Sequence, residues 1–342
     1  MSYAAQLEST AGALVAPGKG ILAADESTPT IAKRLAGIGV ESTAESRGTY
    51  REMLFTTADL HDHVSGTILY DETIRAAASD GVAWPKRLDA LGIMPGIKVD
   101  TGAKPLAGAP GETVTEGLDG LRQRLEEYRD LGARFAKWRA VITIGEGIPS
   151  DYCLNTNAHA LARYAALCVE QGLVPIVEPE VMMDGAHTIE TCFDVTARAL
   201  QRVFAALFAQ RVPLEQILLK PNMVLSGSGC PRQAGVDEVA EQTLRCFLEH
   251  VPAALQGIVF LSGGQSDELA TAHLNAMNKI GGVPWQLSFS YGRALQAPAL
   301  KAWAGKAGNY DAAQMALQHR ASLNGAARSG SYTEEMETEA LA

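Results

Sequence analysis

The sequence predicts an α/β fold, a single-domain (β/α)8 or TIM barrel, and three observations support this fold class. The 342 residues are 47% apolar and 20% charged, a composition typical of a globular chain with a full core. Short apolar runs alternate with longer amphipathic stretches, which predicts parallel strands joined by helical crossovers. There are eight such runs, and eight β/α units complete a barrel.

The strand candidates are short apolar runs bounded by turn or charged residues. In chain order they are GILAAD (20–25), GTILYD (66–71), GIMPGIKVD (92–100), RFAKWRAVI (134–142), LVPIVEPEV (173–181), QILLKPNMV (216–224), GIVFLSGG (257–264) and WQLSFSYG (285–292). Helical patterns between them include residues 117–132, 160–172 and 189–210. A doubly wound open sheet is the structural alternative, but it predicts a glycine-rich turn where the chain has AADEST.

Charge and cysteine content limit the classes of function. A net charge of −10 argues against a broad nucleic-acid face, and no apolar run approaches the roughly 18 residues that span a bilayer. Five cysteines without a CxxC pair favour a reducing compartment. With no signal peptide evident in the first twenty residues, we expect a cytoplasmic protein with no nucleic-acid or membrane partner. We assign residues 1–330 to the barrel and 331–342 to a flexible acidic tail.

Polar residues at the carboxyl ends of the predicted strands indicate a functional site. In a barrel such residues point into the catalytic mouth, and residues two apart share a face. Every predicted strand except the second supplies at least one: Asp25, Lys98, Lys137 with Arg139, Glu178 with Glu180, Lys220, Ser262, and Ser290 with Arg293. One such residue is usually a salt bridge at the rim. Polar and charged residues at the ends of seven strands indicate a function, because an unpaired buried ion costs several kcal/mol.

The three lysines of this set indicate carbon–carbon bond chemistry. Their mutual repulsion and partial desolvation are expected to lower the pKa of at least one, leaving a neutral amine that forms an imine with a ketone. A protonated imine stabilises a neighbouring carbanion. The carboxylates of Asp25, Glu178 and Glu180 could then transfer protons.

Two turns that contain glycine indicate that the substrate carries phosphate. SGGQ (262–265) follows the seventh predicted strand and SYGR (290–293) follows the eighth, where barrels usually bind phosphate. Either turn alone is most simply a plain turn, but both together, with Arg293 alongside, favour an anion site. A second basic group could hold another phosphate: Lys33, Arg34, Lys98 and Arg139.

A metal ion is the alternative route to the same carbanion. His61 and His63 in LHDH have the spacing of some ligand pairs. Neither lies at a predicted strand end, and no third ligand is evident. We interpret them as exposed loop residues and predict no metal site.

The longer motifs resemble those of one family. These are ILAADES (21–27), IAKRL (31–35), GIKVDTGAKPLAG (96–108), GLDGLRQR (117–124), FAKWR (135–139), VPIVEPE (174–180), LLKPNMV (218–224), FLSGGQS (260–266) and FSYGRALQ (289–296). Over roughly residues 5–332 the chain resembles class I fructose-bisphosphate aldolase. The resemblance implies a metal-independent barrel, usually a homotetramer, that acts on sugar phosphates in glycolysis and gluconeogenesis.

The resemblance also implies a role for each matching residue. Lys220 matches the imine-forming lysine, and Glu178 matches the catalytic acid/base, with Glu180 beside it. Asp25 and Lys137 match residues that position the substrate and steer protons. The pocket for the phosphate on carbon 1 matches Ser262, Gly263, Gly264, Ser290, Gly292 and Arg293. The surroundings of the other phosphate match Ser27, Thr30, Arg34, Lys98 and Arg139, with Thr30 keeping the hydroxyl of a frequent serine.

One family feature is missing from the sequence. Many members have a flexible tail with a terminal tyrosine that helps proton exchange on the enamine, whereas this sequence ends in Ala342. We therefore expect the acidic tail to have little catalytic role. Two alternative functions fit the same barrel: a metal-dependent aldolase, and a non-catalytic or moonlighting scaffold for other proteins.

Overall fold

Eight parallel strands close into a barrel in the computed structural model, which describes residues 3–338. The strands are β1 (Gly20–Ala24), β2 (Val64–Leu69), β3 (Met94–Lys98), β4 (Phe135–Ile142), β5 (Val174–Val181), β6 (Leu218–Leu219), β7 (Gly257–Phe260) and β8 (Gln286–Tyr291). Each strand pairs with the next along the chain, and β1 pairs with β8. The predicted fold class is confirmed.

Helices connect the strands and surround the barrel. They are α1 (Ala4–Leu14), α2 (Thr28–Ala36), α3 (Ala44–Phe55), α4 (Asp71–Ile74), α5 (Trp84–Ala90), α6 (Leu121–Asp130), α7 (Asp151–Gln171), α8 (Ile189–Ala209), α9 (Val236–His250), α10 (Asp267–Ile280), α11 (Arg293–Trp303) and α12 (Tyr310–Ala327). Short 3-10 turns lie at Leu60–Asp62, Leu214–Gln216, Ala307–Asn309 and Glu334–Glu337. A small antiparallel hairpin joins Ala103–Pro105 to Thr113–Thr115.

The sixth strand differs most from its predicted run. Only Leu218–Leu219 form a strand, although the apolar run predicts 216–224. The Lys220 backbone N–H still donates to the Val177 carbonyl at 2.8 Å. Pro221 then has no N–H to offer, so the chain leaves the ladder at that point. Lys220 therefore lies immediately after the strand rather than inside it.

The amino-terminal end of the barrel is closed by apolar packing. Leu7 and Leu14 of α1 belong to the same buried cluster as Phe135 and Ile176 from the strands. A Cβ at Gly96 would lie 2.3 Å from the Phe135 ring, so glycine is required for this close approach. With this end filled by apolar side chains, the charged residues of the strands gather at the carboxyl ends.

The first part of the predicted tail packs against the barrel helices. Tyr332 is buried, and its backbone exchanges two hydrogen bonds of 3.1 Å with the Asn275 side chain. The Glu337 carboxylate pairs with Arg320 at 2.8 Å and accepts a hydrogen bond from the Tyr332 hydroxyl at 2.7 Å. The boundary at residue 330 and the flexibility of the tail stay predictions. Residues 339–342 lie outside the described residues.

Two further observations concern the chain as a whole. All five cysteines are buried and unpaired. Across residues 3–338, no helix combines the length and the apolar character needed to cross a membrane.

Candidate active site

An open cleft of about 570 Å³ lies at the carboxyl ends of the barrel strands. It is lined by every residue to which the family resemblance assigns a role: Asp25, Ser27, Thr30, Arg34, Lys98, Lys137, Arg139, Glu178, Glu180, Lys220, Ser262, Gly263, Gly264, Ser290, Gly292 and Arg293. Strand register explains why distant residues meet there. Lys98 lies beside Lys137 across β3 and β4, and Arg139 lies beside Glu178 across β4 and β5.

A buried chain of alternating charges runs across the floor of the cleft. Lys220 Nζ lies 3.3 Å from Glu178 Oε1, and Lys137 Nζ lies 3.3 Å from Glu178 Oε2. The other side of the Lys137 ammonium pairs with Asp25 Oδ2 at 2.7 Å. Lys220, Lys137 and Glu178 are each less than 5% exposed. Because each charge has an opposite neighbour, the group avoids the full cost of unpaired burial.

Neighbouring charges in this buried group set the pKa values of Asp25 and Lys137. Burial is the largest influence on Asp25 and acts to raise its pKa, but the charges of Lys137 and Lys220 outweigh it and hold that pKa well below its usual range. Burial likewise acts to lower the pKa of Lys137, but Asp25 and Glu178 outweigh it and raise that pKa well above its usual range. Lys137 is therefore not the lysine for which the sequence predicts a lowered pKa.

Two buried oxygen atoms among the predicted site residues lack a hydrogen bond within the described part of the chain. Glu178 Oε2 has only its ion pair with Lys137, and Ser290 Oγ neither accepts nor donates a hydrogen bond. Buried polar atoms without a hydrogen bond are uncommon in proteins, and a catalytic role is one explanation for them. One lies at the centre of the charge chain and the other at the end of β8.

A second pair of charged contacts lies toward the rim. Arg139 forms an ion pair with Glu180, and Lys98 Nζ pairs with Asp100 Oδ1 at 2.8 Å. Burial acts to lower the pKa of Arg139, but Glu180 outweighs it and raises that pKa. Asp100 is not among the site residues predicted from the sequence. Its position two residues after Lys98 was the available signal, because residues at that spacing share a face.

The loop after β7 has the shape of an anion cradle. Gly263 and Gly264 have φ values of +60° and +115°, which favour glycine. A Cβ at Gly264 would also lie 2.7 Å from the Met183 sulfur. Arg293 begins α11 and donates from Nη2 to the Gln265 carbonyl at 3.2 Å, which joins this loop to the next helix. The start of α11 also faces this region, and helix N-termini attract anions.

A buried histidine that the sequence analysis missed supports this loop. Gln265 Nε2 donates to the Ser262 carbonyl at 3.0 Å, and Gln265 Oε1 lies 2.6 Å from His273 Nδ1. Burial lowers the pKa of His273 to about 4, so the ring is neutral and donates from Nδ1. His273 lies within α10 among buried residues, and nothing in the sequence distinguishes it from a core histidine.

Ser27 caps α2, and Thr30 and Arg34 lie within it; these residues belong to the second predicted phosphate site. The hydroxyls of Ser27 and Thr30 share a hydrogen bond of 3.1 Å at the start of this helix. Arg34 Nη2 lies near Gly292: a Cβ atom added to Gly292 would be 3.8 Å from it. Lys33, which the sequence placed in the same basic group, does not line the cleft.

The predicted loop histidines lie away from this cleft. His61 falls in the turn Leu60–Asp62 before β2, and the His63 carbonyl accepts from the Gly20 N–H at the amino end of β1. His61 Nε2 lies 3.5 Å from Asp62 Oδ1. Within residues 3–338, no three His, Cys, Asp or Glu side chains form a group arranged to hold a metal ion.

Comparisons with known proteins cover nearly the whole chain. A family model described as glycolytic fructose-bisphosphate aldolase class-I matches residues 6–342. A probable fructose-bisphosphate aldolase class 1 from Xanthomonas campestris is 62% identical, covering 96% of this chain and 98% of that protein. A fructose-bisphosphate aldolase from Dictyostelium discoideum is 50% identical, covering 98% and 95%.

A solved structure agrees with these relatives. It is a fructose-bisphosphate aldolase from Plasmodium falciparum in a ternary complex with TRAP and a small-molecule inhibitor. It matches with a TM-score of 0.95 at 47% identity, covering 97% of this chain and 96% of that chain. The residues matched by the family model include all of the cleft residues named above. The chain belongs to the class I fructose-bisphosphate aldolase family.

Proposed function

We propose that this chain reversibly cleaves fructose 1,6-bisphosphate to dihydroxyacetone phosphate and glyceraldehyde 3-phosphate through an imine on Lys220, without a metal cofactor. The observation that carries the proposal is the buried contact of 3.3 Å between the Lys220 ammonium nitrogen and Glu178. An amine beside a carboxylate can pass protons to and from it during imine formation. The Ser262–Gly264 loop and the start of α2, the two predicted phosphate sites, line the same cleft as this contact.

The first half of the proposed reaction forms the imine. The Lys220 nitrogen, after passing a proton to Glu178, attacks the ketone carbon of the substrate. The carbinolamine hydroxyl then takes this proton from Glu178 and leaves as water, and the product is an iminium joined to Lys220. Lys137, held as an ammonium between Asp25 and Glu178, is suited to donating a hydrogen bond to the departing oxygen.

The second half breaks the bond between carbons 3 and 4. Glu178 takes the proton from the hydroxyl on carbon 4, and the electrons of the broken bond move toward the iminium nitrogen to give an enamine. Glyceraldehyde 3-phosphate leaves. Protonation of the enamine at carbon 3 and hydrolysis of the imine then release dihydroxyacetone phosphate and restore Lys220. Glu178 Oε2, which lacks a hydrogen bond in the described structure, is the acceptor we assign to the carbon-4 proton.

The polar residues that line the cleft form two groups, which we assign to the two phosphates of the substrate. We assign the phosphate on carbon 1 to the Ser262–Gly264 loop, Ser290, Gly292 and Arg293. The other phosphate is assigned to Ser27, Thr30, Arg34, Lys98 and Arg139. Asp25 and Glu180 are assigned to keeping Lys137 and Arg139 in position through their ion pairs.

Assembly and location are also part of the proposal. Family members are usually homotetramers, and Phe208 at the end of α8 is 86% exposed, which is unusual for a large apolar side chain. The relatives include a cytoplasmic isozyme from Pisum sativum and a cytosolic one from Arabidopsis thaliana. We propose a cytoplasmic homotetramer.

Light scattering should give about four times the 36.3 kDa of one chain, and a mass of one chain would contradict this.

Borohydride trapping tests the imine directly. Reduction in the presence of dihydroxyacetone phosphate should attach a three-carbon adduct to the peptide that contains Leu219, Lys220 and Pro221. Mass spectrometry should find this adduct at Lys220 and none at Lys137, and turnover should persist in excess EDTA. An adduct at another lysine, or no adduct, would overturn the assignment of Lys220.

Replacement of Glu178 by glutamine tests its role in proton transfer. Glu178→Gln preserves the size of the side chain but cannot accept a proton at neutral pH. Turnover should fall by roughly 10²–10⁴-fold, the usual contribution of general acid–base catalysis. Substrate affinity should change much less, because the phosphate contacts lie elsewhere.

The matched control for Glu178 is Arg293→Ala, which removes a proposed phosphate contact and leaves the charge chain intact. It should weaken substrate binding first and turnover second. Steady-state kinetics on both variants separate the two roles. Normal turnover by Glu178→Gln, or a loss confined to binding, would transfer the proton-transfer role to Asp25 or Glu180.

A further inference from the structure

Behind the residues assigned to the second phosphate lies a largely buried cluster of side chains. We call it the arginine–glutamate cluster, and it consists of Arg34, Glu26, Arg51, Gln296 and Tyr50. Among these residues, only Arg34 is a site residue predicted from the sequence. Glu26 is 8% exposed and Arg51 is 4% exposed, so both charges are removed from solvent. Arg51 belongs to α3 and does not line the substrate cleft.

Glu26 divides its carboxylate between two guanidinium groups. Its Oε1 atom pairs with Arg34 Nη1, and its Oε2 atom lies 2.5 Å from Arg51 Nη2. Gln296 Nε2 donates to Glu26 Oε1 at 2.8 Å and to the Ala23 carbonyl at 2.6 Å. The Tyr50 hydroxyl donates to Gln296 Oε1 at 2.9 Å. The hydrogen bonds to Oε1 hold this side of the carboxylate in place, while Oε2 meets Arg51 through the ion pair.

Arg34 faces the cleft with the half of its guanidinium that Glu26 does not use. Nη1 makes the contacts to Glu26 and Gln296, while Nη2 lies near Gly292 at the cleft wall. An ion pair with Glu26 alone would cancel the charge of Arg34 and weaken its attraction for an anion. Arg51 supplies the second positive charge. Two arginines and one glutamate leave the cluster with one net positive charge, and Arg34 is its member at the cleft.

We propose that Arg51 determines the preference for substrates with a second phosphate, by balancing Glu26 so that Arg34 keeps its positive charge for that phosphate. Arg51 is a positioning residue, since it acts through Glu26 and Arg34 without touching the substrate. The inference rests on the proposed assignment of Arg34 to the second phosphate. It concerns the affinity for that phosphate and not the imine chemistry at Lys220.

Two substrates that differ in that phosphate provide the test. Steady-state kinetics of Arg51→Met are measured with fructose 1,6-bisphosphate and with fructose 1-phosphate. KM for the bisphosphate should rise about tenfold, which corresponds to about 1.4 kcal/mol of weaker attraction between Arg34 and the phosphate. The kcat with either substrate, and KM for the monophosphate, should stay within about twofold. An equal rise in KM for both substrates, or no rise, would overturn the inference.

Arg47→Met is the matched control. Arg47 lies one turn before Arg51 on α3, but its guanidinium pairs with Glu72 at 2.6 Å and not with Glu26. The ratio of the two KM values should stay at the value of the unmodified protein. A change as large as that of Arg51→Met would mean that any lost arginine on α3 has this effect, and the inference would fail.

A double variant addresses the risk that Arg51→Met fails to fold, since it leaves Glu26 with one fewer partner. Glu26→Gln combined with Arg51→Met removes one charge of each sign and again leaves one net positive charge at Arg34. KM for the bisphosphate should return to within about threefold of the unmodified value. A double variant that binds the bisphosphate tenfold more weakly, with unchanged monophosphate kinetics, would show that charge balance is not the cause.

Arg34→Met separates failure of the inference from failure of the proposed function. It should raise KM for the bisphosphate at least as much as Arg51→Met does. If the ratio of KM values changes with Arg34→Met but not with Arg51→Met, the inference about Arg51 is wrong and the phosphate assignment is supported. If Arg34→Met leaves the ratio unchanged, the phosphate assignment itself fails, and the inference fails with it.

Discussion

The carboxylate of Glu178 lies buried between two ammonium groups, and the other charges of the cleft depend on that contact. Lys137 shares Glu178 with Lys220, and Asp25 balances the other side of Lys137. Removing any of these groups would leave an uncompensated ion in a buried setting, which is costly. In the proposed mechanism the same arrangement gives the two lysines different roles. Lys137 stays an ammonium that stabilises oxygen charge, and Lys220 is the lysine that becomes a nucleophile.

The barrel supplies the conditions under which this contact can form. Apolar side chains around Phe135 fill the amino-terminal end, and the carboxyl ends of seven strands or the loops that follow them supply the polar groups. The arginine–glutamate cluster repeats the principle of the central charge chain at the side of the cleft, because Glu26 also lies between two cations. In the cluster this sharing leaves one net positive charge, whereas Asp25 brings the central charge chain to zero. The positive charge of the cluster suits a ligand that carries phosphate.

The sequence was sufficient for the parts that depend on local pattern. Alternation along strands placed Glu178 and Glu180 on one face, and strand order brought the residues of the cleft together. It was insufficient where contacts join distant segments or where a residue looks ordinary in its own element. Gln296 meets Glu26 across 270 positions of the chain, and Arg51 resembles any arginine on an amphipathic helix. The sequence predicts repulsion among the lysines, but it does not show which carboxylate lies between which two lysines. Only the fold shows that arrangement.

The protonation of Lys137 is the most direct test of the division of work between the two lysines. Lysine labelled with ¹³C at Cε can be incorporated into the whole protein, and the Lys137 signal assigned by its loss in Lys137→Arg. The carbon shift is then followed by NMR as pH rises. The account predicts no titration of Lys137 up to a pH of about 10, where an ordinary lysine is close to half deprotonated. A titration midpoint for Lys137 below a pH of about 9 would contradict it.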